Sequence, residues 1–219
     1  MWYIRGVARF LDVAARAAFT TAIEDIERGS AAEVVVAMRR RSARHVHANV
    51  IVGAAAAFAG LAAMLFSAHE FALGSILIDP FVVGGLAGAL VELLPDVKRG
   101  LTPRAARQRA VLAAARAAFV ERGVHRTRDR SGLLVYISWL EREVAVVADS
   151  GIERAMSAEA RAAAARAMTD AIRGGGAAVA RELARLGPAL AAAMPCRADD
   201  INELPDAIDS DLERREGTP

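Results

Sequence analysis

Hydrophobic positions change period near residue 30. Within residues 8–28, apolar side chains recur at about helical spacing until Gly29-Ser30, which predicts an amphipathic helix. Residues 33–38 (EVVVAM) are short, rich in β-branched side chains and preceded by this turn signal, so they predict a buried strand. Because a single strand is not stable alone, we expect partner strands later in the chain.

These partners are predicted after Pro103. Five patterned segments follow, in the order helix, strand, strand, helix, helix, over residues 104–121, 133–138, 144–148, 158–173 and 177–193. The two strand patterns are joined by a turn, and three glycines separate the last two helical patterns. The order predicts an α/β fold in which helices cover a small sheet.

Two long apolar runs interrupt this pattern between the first strand and Pro103. Residues 49–68 are 20 residues without a charge, which at about 1.5 Å per residue matches a hydrocarbon core roughly 30 Å thick. Residues 71–94 form a weaker run, in which Asp79-Pro80 predicts a kinked or partly re-entrant helix. We expect a transmembrane helical hairpin over residues 48–97; a buried hairpin of a soluble domain is the alternative.

Arginines flank both outer ends of the hairpin, whereas its connecting turn contains no arginine or lysine. The positive-inside rule therefore places both termini and the folded domain on the cytoplasmic side of the inner membrane. Residues 98–130 hold ten Lys/Arg against two acids, and membrane topology with anionic headgroups explains this excess. We expect the lipid bilayer and other membrane proteins as partners, and no nucleic acid.

The composition adds two constraints. Hydrophobic residues make up 54% of the 219 residues and aromatic residues only 5%, so alanine dominates and a helix-rich chain is expected. Cys196 is the only cysteine, which excludes an internal disulfide and a cysteine-based metal cluster.

The predicted boundaries follow from these patterns. A split domain, its hairpin and an acidic tail occupy residues 1–47, 48–97, 98–195 and 196–219, the first and third ranges forming the domain. The tail acids Asp199, Asp200 and Glu203 could complete a cation site or pair with the basic segment. Beyond about Asp209 we expect a disordered, solvated end, because the segment is acidic and poorly periodic.

Three stretches together resemble one family. Residues 33–36 (EVVV), 119–124 (FVERGV) and 125–153 (HRTRDRSGLLVYISWLEREVAVVADSGIE) resemble the TPM domain family, in particular bacterial predicted membrane proteins whose domain is split by a two-helix span. The resemblance covers nearly all of residues 20–205 and implies an α/β/α sandwich with a small central sheet. Plant relatives are thylakoid proteins linked to photosystem II repair, with acid phosphatase activity proposed, and some members bind calcium. The commonest family arrangement instead has a signal peptide, an exported domain and a later anchor.

Two sets of residues carry candidate chemistry. Arg126, Arg128 and Arg130 alternate just before a predicted strand, and guanidinium groups suit phosphate or carboxylate; the alternative is a solvated basic loop. Asp149 follows the third strand, and Asp129 and Glu141 could neighbour it if the turns bring them together. Their oxygens would suit calcium or magnesium, whereas the alternative for Asp149 is a turn aspartate bonded to its own backbone.

These observations predict two functions. The sequence contains no nucleophile elbow, Walker loop, paired-histidine zinc motif or EF-hand loop, which favours a membrane-anchored, non-catalytic interaction or accessory module in membrane-protein maintenance. The alternative is a divalent-metal-dependent phosphatase, in which Asp149 and nearby acids hold the ion while Arg126 or Arg128 binds phosphate.

Overall fold

The computed structural model describes residues 10–196, 203–204 and 208–212. Its helices are α1 (Val13–Gly29), α2 (Val46–Phe66), α3 (Leu73–Leu90), α4 (Pro95–Leu101), α5 (Arg104–Glu121), α6 (Ser150–Ala155), α7 (Ala158–Ala171), α8 (Gly176–Ala184) and α9 (Gly187–Ala193). Its strands are β1 (Glu33–Arg39), β2 (Gly132–Ser138), β3 (Glu143–Ala148) and β4 (Asp209–Ser210). The chain forms two compact units, which we call the sheet unit (Met1–Ser42 and Arg107–Pro219) and the hairpin unit (Ala43–Ala106).

The sheet is mixed, with strand order β3-β2-β1-β4. β1 and β2 are parallel, with Glu33 opposite Gly132 and Arg39 opposite Ser138. β2 and β3 form an antiparallel hairpin, whereas β4 lies parallel to the other edge of β1. The structure therefore confirms the three predicted strands and the α/β class, and it adds a fourth strand from the acidic tail.

Alternation along β1 divides the core between the two faces of the sheet. Val34 and Met38 pack on one face with the apolar side chains of α1, α7, α8 and α9. Val35 and Ala37 pack on the opposite face with α5. Because successive strand residues point to opposite faces, a continuous apolar run such as VVVAM requires helices on both sides. The sheet is therefore the middle layer of the sheet unit.

Two helix boundaries differ from the sequence pattern. The first helix begins at Val13, because the Asp12 carboxylate accepts a hydrogen bond from the backbone N–H of Ala15 at 2.8 Å. The segment 177–193, expected as one helix, is two helices, α8 and α9, with Gly187-Pro188 at the start of the second. Proline is favoured at the first turn of a helix and disrupts a helix interior, so the chain starts a new helix there.

The hairpin unit is built on close contact between α2 and α3. A Cβ added at Gly84 would lie 2.6 Å from the carbonyl oxygen of Gly53, and one added at Gly88 would lie 2.9 Å from that of Asn49. Only glycine permits this separation of the two backbones. α3 is one helix with Pro80 inside it, so the partly re-entrant form expected at Asp79-Pro80 is not found.

The outward faces of α2 and α3 are apolar and exposed. Phe58 on α2 and Phe81 on α3 each expose 74% of their surface within the structure. Both helices are long and apolar enough to cross a membrane by length and composition. They are therefore candidate membrane spans.

A polar cluster lies at the end of the hairpin unit where α2 begins and the segment after α3 follows. Lys98, on α4, is only 3% exposed, and its ammonium group donates to the Glu92 carboxylate at 2.5 Å and to the carbonyl oxygen of Arg44 at 3.1 Å. The Asn49 amide donates to the same Glu92 oxygen at 3.0 Å. The ion pair and the amide thus join the start of α2 to the segment that follows α3.

Candidate functional site

The basic loop, residues 123–131, is folded tightly against the end of the β2–β3 hairpin. Gly123 and Arg130 adopt left-handed backbone conformations, with φ of 67° and 54°. The Thr127 hydroxyl accepts from the backbone N–H of Ser131 at 2.9 Å, and the N–H of Gly151 donates to the carbonyl oxygen of Arg130 at 2.9 Å. A Cβ at Gly151 would lie 2.5 Å from that oxygen, so only glycine allows the loop to sit there. The backbone of the loop is thus fixed beside Asp149.

Asp149 caps α6 with one carboxylate oxygen. Its Oδ1 accepts from the backbone N–H of Ser150 at 2.6 Å, the local turn bond that the sequence left open as an alternative. Its Oδ2 is buried without a hydrogen bond and lies 3.7 Å from Nη1 of Arg130. One oxygen therefore has a structural role, and the other makes an ion pair with the basic loop.

Asp129 is exposed and lines a cleft of about 430 Å³. Gly151, Arg154 and Cys196 also line this cleft, together with apolar residues of the segment around α9. Asp129 and Asp149 therefore lie at the same end of the β2–β3 hairpin, and the metal-binding role suggested for them by the sequence stays a prediction.

Glu141 does not join them. It lies in the turn between β2 and β3, whereas Asp149 follows the far end of β3, and six strand residues at about 3.3 Å each separate the two positions by roughly 20 Å. The carboxylate of Glu141 is buried, and it accepts from the backbone N–H of Ser42 at 3.1 Å and from the Ser138 hydroxyl at 2.5 Å. The expectation that the turns bring Glu141 to Asp149 is corrected by the antiparallel geometry of the hairpin.

The described residues supply few of the oxygen ligands that a calcium site needs. Within residues 10–196, 203–204 and 208–212, no group of three or more His, Cys, Asp or Glu side chains is arranged to hold a metal ion. Calcium takes six to eight oxygen ligands, and Asp129 and Asp149 supply only carboxylates from two residues. The tail acids Asp199 and Asp200 lie outside the described residues. Glu203 is described, and its carboxylate accepts from the backbone N–H of Arg128 at 2.8 Å.

The three predicted anion-binding arginines are all exposed but have different neighbours. Arg130 donates to the carbonyl oxygen of His125 at 3.2 Å and forms the ion pair with Asp149. Arg126 folds back over Gly123, where its Cδ would lie 3.2 Å from an added Cβ. Arg128 is held through its backbone by Glu203.

A second charged cluster, which the sequence analysis did not identify, lies at the other end of the sheet. The guanidinium groups of Arg39 and Arg122 both contact Oδ2 of Asp209. The Asp211 carboxylate accepts from the backbone N–H of Arg40 at 2.8 Å. The spacing Asp-x-Asp in the tail, opposite arginines at the end of a strand, is the signal that could have indicated this cluster.

The comparison with solved structures gives one fold-level similarity. The chain is similar to the NMR structure of BA42 protein from the psychrophilic bacterium Bizionia argentinensis, with a TM-score of 0.55 and 17% sequence identity over 92% of this chain and 95% of that chain. At this identity the similarity shows the fold alone. No family model and no curated protein matches the chain.

Proposed function

We propose that this chain is an integral membrane protein whose sheet unit is a TPM-like α/β/α domain on the cytoplasmic side. In this proposal the domain is a non-catalytic interaction or accessory module in membrane-protein maintenance, anchored by the α2–α3 hairpin. The observation that carries the proposal is the exposed apolar surface of both hairpin helices. The sandwich assignment is supported by the helices on both faces of the sheet and by the sequence resemblance.

Water is an unfavourable environment for the outer surface of the hairpin. The large exposed apolar residues of its two helices are Val46, Val50, Ile51, Phe58, Leu65, Phe66, Leu73, Leu77, Ile78, Phe81, Val82, Val83, Leu86 and Leu90. Burying one such side chain is worth about 1.5–3 kcal/mol, so the set represents tens of kcal/mol. A patch of this extent marks a membrane or protein interaction site, and the helix lengths match a bilayer. Lipid is therefore the occupant that we propose.

The flanking charges support the cytoplasmic orientation. Four arginines precede α2, and a lysine and an arginine follow α3: Arg39, Arg40, Arg41, Arg44, Lys98 and Arg99. The turn at residues 67–72 contains no arginine or lysine. Basic flanks are usually retained on the cytoplasmic side, which supports a cytoplasmic position for the sheet unit and both termini in this proposal.

The non-catalytic role is supported by what the buried acids do. The Glu141 carboxylate accepts hydrogen bonds from Ser42 and Ser138, and one oxygen of Asp149 caps α6. Glu33 is also buried, and its carboxylate accepts from the backbone N–H groups of Glu203 and Leu204. Each acid thus satisfies backbone or hydroxyl donors, which is a structural use of the charge.

Membrane retention tests the anchor. We expect the full chain to remain in the membrane pellet after detergent-free lysis and an alkaline carbonate wash. Replacing both Phe58 and Phe81 by Lys puts two charges on the surface proposed to face lipid and should release a large part of the protein. The control is Val13→Lys with Val120→Lys, which adds the same two charges at exposed apolar positions of the sheet unit. Recovery of native wild-type protein in the soluble fraction would overturn the proposal.

A compartment-sensitive reporter fused after Pro219 tests the orientation separately. We expect a cytoplasmic signal. A periplasmic signal would reverse the topology and contradict a cytoplasmic sheet unit, while leaving membrane insertion intact.

One observation favours the alternative, a phosphatase. The buried Oδ2 of Asp149 has no hydrogen bond and faces Arg130 close to the cleft lined by Asp129. Phosphomonoester turnover by purified protein in detergent, with and without added divalent metal, distinguishes the two functions. A rate that falls in Asp149→Ala would support the hydrolase, whereas an unchanged background rate would remove it.

A further inference from the structure

Two described parts of the C-terminal segment contact β1, and one of them, β4, pairs with the edge that β2 leaves open. At the start of β1, the buried Glu33 carboxylate accepts from the backbone N–H groups of Glu203 and Leu204 at 3.2 and 3.3 Å. At the end of β1, Asp209 pairs with Ala37 and Ser210 with Met38 in parallel register. The described parts of the segment therefore contact both the start and the end of β1, and we call residues 203–204 and 208–212 the tail strap.

Charges hold the strap at the end of β1. Oδ2 of Asp209 forms ion pairs with the guanidinium groups of both Arg39 and Arg122. Arg39 also donates a hydrogen bond to the Asp209 carbonyl oxygen at 3.0 Å. The Asp211 carboxylate accepts from the N–H of Arg40 at 2.8 Å, and its own N–H donates to the carbonyl oxygen of Met38 at 3.2 Å. Two guanidinium groups thus contact one carboxylate of the strap, while the second carboxylate accepts a backbone N–H of the chain just after β1.

The strap is a short strand with few backbone bonds. Among its described residues two pair with β1, which has seven residues, and the side chain of Arg122 remains 41% exposed. Leu212 is buried and Ile208 packs at the edge of the same core. Because each partly exposed ion pair contributes modestly, the strap is held jointly by its ion pairs, a short ladder and two apolar side chains, and loss of the ion pairs should release it.

We propose that the edge of β1, with the Arg39–Arg122 pair, is a binding site for an extended acidic peptide of a partner protein, and that the tail strap is its intramolecular occupant. An exposed strand edge recruits an extended chain through backbone hydrogen bonds, and side-chain pockets select its sequence. The recognised chemistry is a strand with carboxylates two residues apart and apolar residues on either side, as in Ile208-Asp-Ser-Asp-Leu212.

A peptide fits this site better than a free anion. An anion would occupy only the two guanidinium groups, whereas the pairing with Ala37 and Met38 and the bond from the Asp211 N–H require a polypeptide backbone. This inference rests on the proposed function as an interaction module, because it names the surface and the kind of partner.

Binding of a synthetic peptide tests the site in the full chain in detergent. The probe is fluorescein-labelled DAIDSDLE, the sequence of residues 206–213, measured by fluorescence anisotropy. Replacing Asp209 and Asp211 by Ala should release the strap, and this variant should bind the probe at least about tenfold more tightly than wild type, because an attached strap competes at an effective concentration on the order of mM. Glu24→Ala with Asp25→Ala removes the same charge from α1, leaves the strap in place and should bind like wild type.

Two further comparisons establish where the probe binds. The peptide with Asn at the positions of Asp209 and Asp211 should bind the released variant at least about tenfold more weakly, the change that corresponds to about 1.4 kcal/mol. Adding Arg122→Ala to the released variant should weaken binding of the original probe to a similar extent. A released variant that stays folded and does not bind the probe, or that binds both peptides equally, would overturn the inference.

Hydrogen exchange covers the case in which the released variant does not fold. Arg122→Ala removes one of the two guanidinium groups that contact Asp209, at a half-exposed position, and should speed hydrogen exchange at the backbone amides of Arg40 and Asp211. Unchanged exchange at both amides would show that the arginine pair does not hold the strap and would overturn the inference. Because membrane retention is measured independently, failure here with intact membrane retention rejects only the peptide site.

Discussion

The backbone N–H of Ser42 donates to the carboxylate of Glu141 at 3.1 Å, although 99 residues separate them in the sequence. The same carboxylate accepts the Ser138 hydroxyl at 2.5 Å, and the Ser42 hydroxyl donates to Ser138 at 2.9 Å. The turn between β2 and β3 thus fixes the chain just after β1. This buried network explains why an acid is placed in a β-turn with only 1% exposure.

Glu141→Ala should lower the free energy of unfolding of the sheet unit by about 2–4 kcal/mol. Two buried donors, the Ser42 N–H and the Ser138 hydroxyl, would lose their acceptor, and an unsatisfied buried donor costs about 1–3 kcal/mol. Urea titration of the full chain in detergent, followed by circular dichroism and tryptophan fluorescence, measures the change. Glu121→Ala removes an exposed carboxylate from α5 and should change stability by less than about 0.5 kcal/mol. Equal effects of the two substitutions would contradict a structural role for Glu141.

Gly84→Val should destabilise the hairpin unit, whereas Gly85→Val should not. A Cβ at Gly84 would meet the Gly53 carbonyl oxygen at 2.6 Å and the Ala57 Cβ at 2.9 Å, but nothing lies within 4 Å of one at Gly85. Such overpacking costs about 1–3 kcal/mol, which lowers the melting temperature by several degrees. Thermal unfolding in mild detergent compares two adjacent positions with the same chemical change. Similar melting temperatures for both variants would show that the helices are not in contact through Gly84.

Amine labelling should detect the burial of Lys98, which is the only lysine in the sequence. The folded chain in detergent should take up one label, at its N-terminal amine, and the denatured chain should take up two, as measured by intact mass. Glu92→Gln weakens the ion pair that holds the ammonium group, so the labelling rate of Lys98 should rise about tenfold, the equivalent of about 1.4 kcal/mol in opening free energy.

The control for this labelling is Asp96→Asn, which removes the exposed partner of Arg99 on the same helix. It should leave Lys98 protected. Rapid labelling of Lys98 in the folded wild-type chain would refute its burial.

The sequence predicted the three main strands because each is short, apolar and bounded by turns, and these features depend on local residues. β4 was missed because Asp209 and Ser210 have low strand propensity. Its pairing depends on Arg39 and Arg122, which lie far away in the sequence. Contacts between distant charges leave no periodic pattern, so the disorder expected beyond Asp209 was wrong for Ser210–Leu212.

The prediction for the acids failed in part for a different reason. Asp149 and Glu141 are close in sequence, which favoured a shared site. In an antiparallel hairpin of residues 133–138 and 144–148, the connecting turn lies at one end, and the residues before the first strand and after the second lie at the other. Glu141 is in the turn, so this predicted topology already separates it from Asp149. Asp129 precedes the first strand and Asp149 follows the second, so both lie at the end opposite Glu141. Strand topology, not distance along the sequence, therefore decides which acids are neighbours.

Ionisation of Tyr136 should destabilise the sheet unit at alkaline pH. Burial raises the pKa of the Tyr136 phenol above its ordinary value of 10.0, an effect that the 3.4 Å hydrogen bond between its hydroxyl and Ser42 opposes. The folded state therefore keeps this proton at a pH where the unfolded chain releases it. The associated stability is fully present below pH 10 and is lost as the pH rises through the folded-state value.

Tyr136→Phe should remove this dependence. Urea midpoints of wild type should fall more steeply between about pH 9 and 11 than those of the variant, because phenylalanine has no proton to release. Every other ionisable group is present in both proteins, so the difference between the two curves isolates Tyr136. At neutral pH the variant should lose less than about 1 kcal/mol, since the lost hydrogen bond is long. Parallel curves for the two proteins would mean that the phenol has the same pKa in the folded and unfolded states. That result would contradict the effect of burial on the pKa of Tyr136.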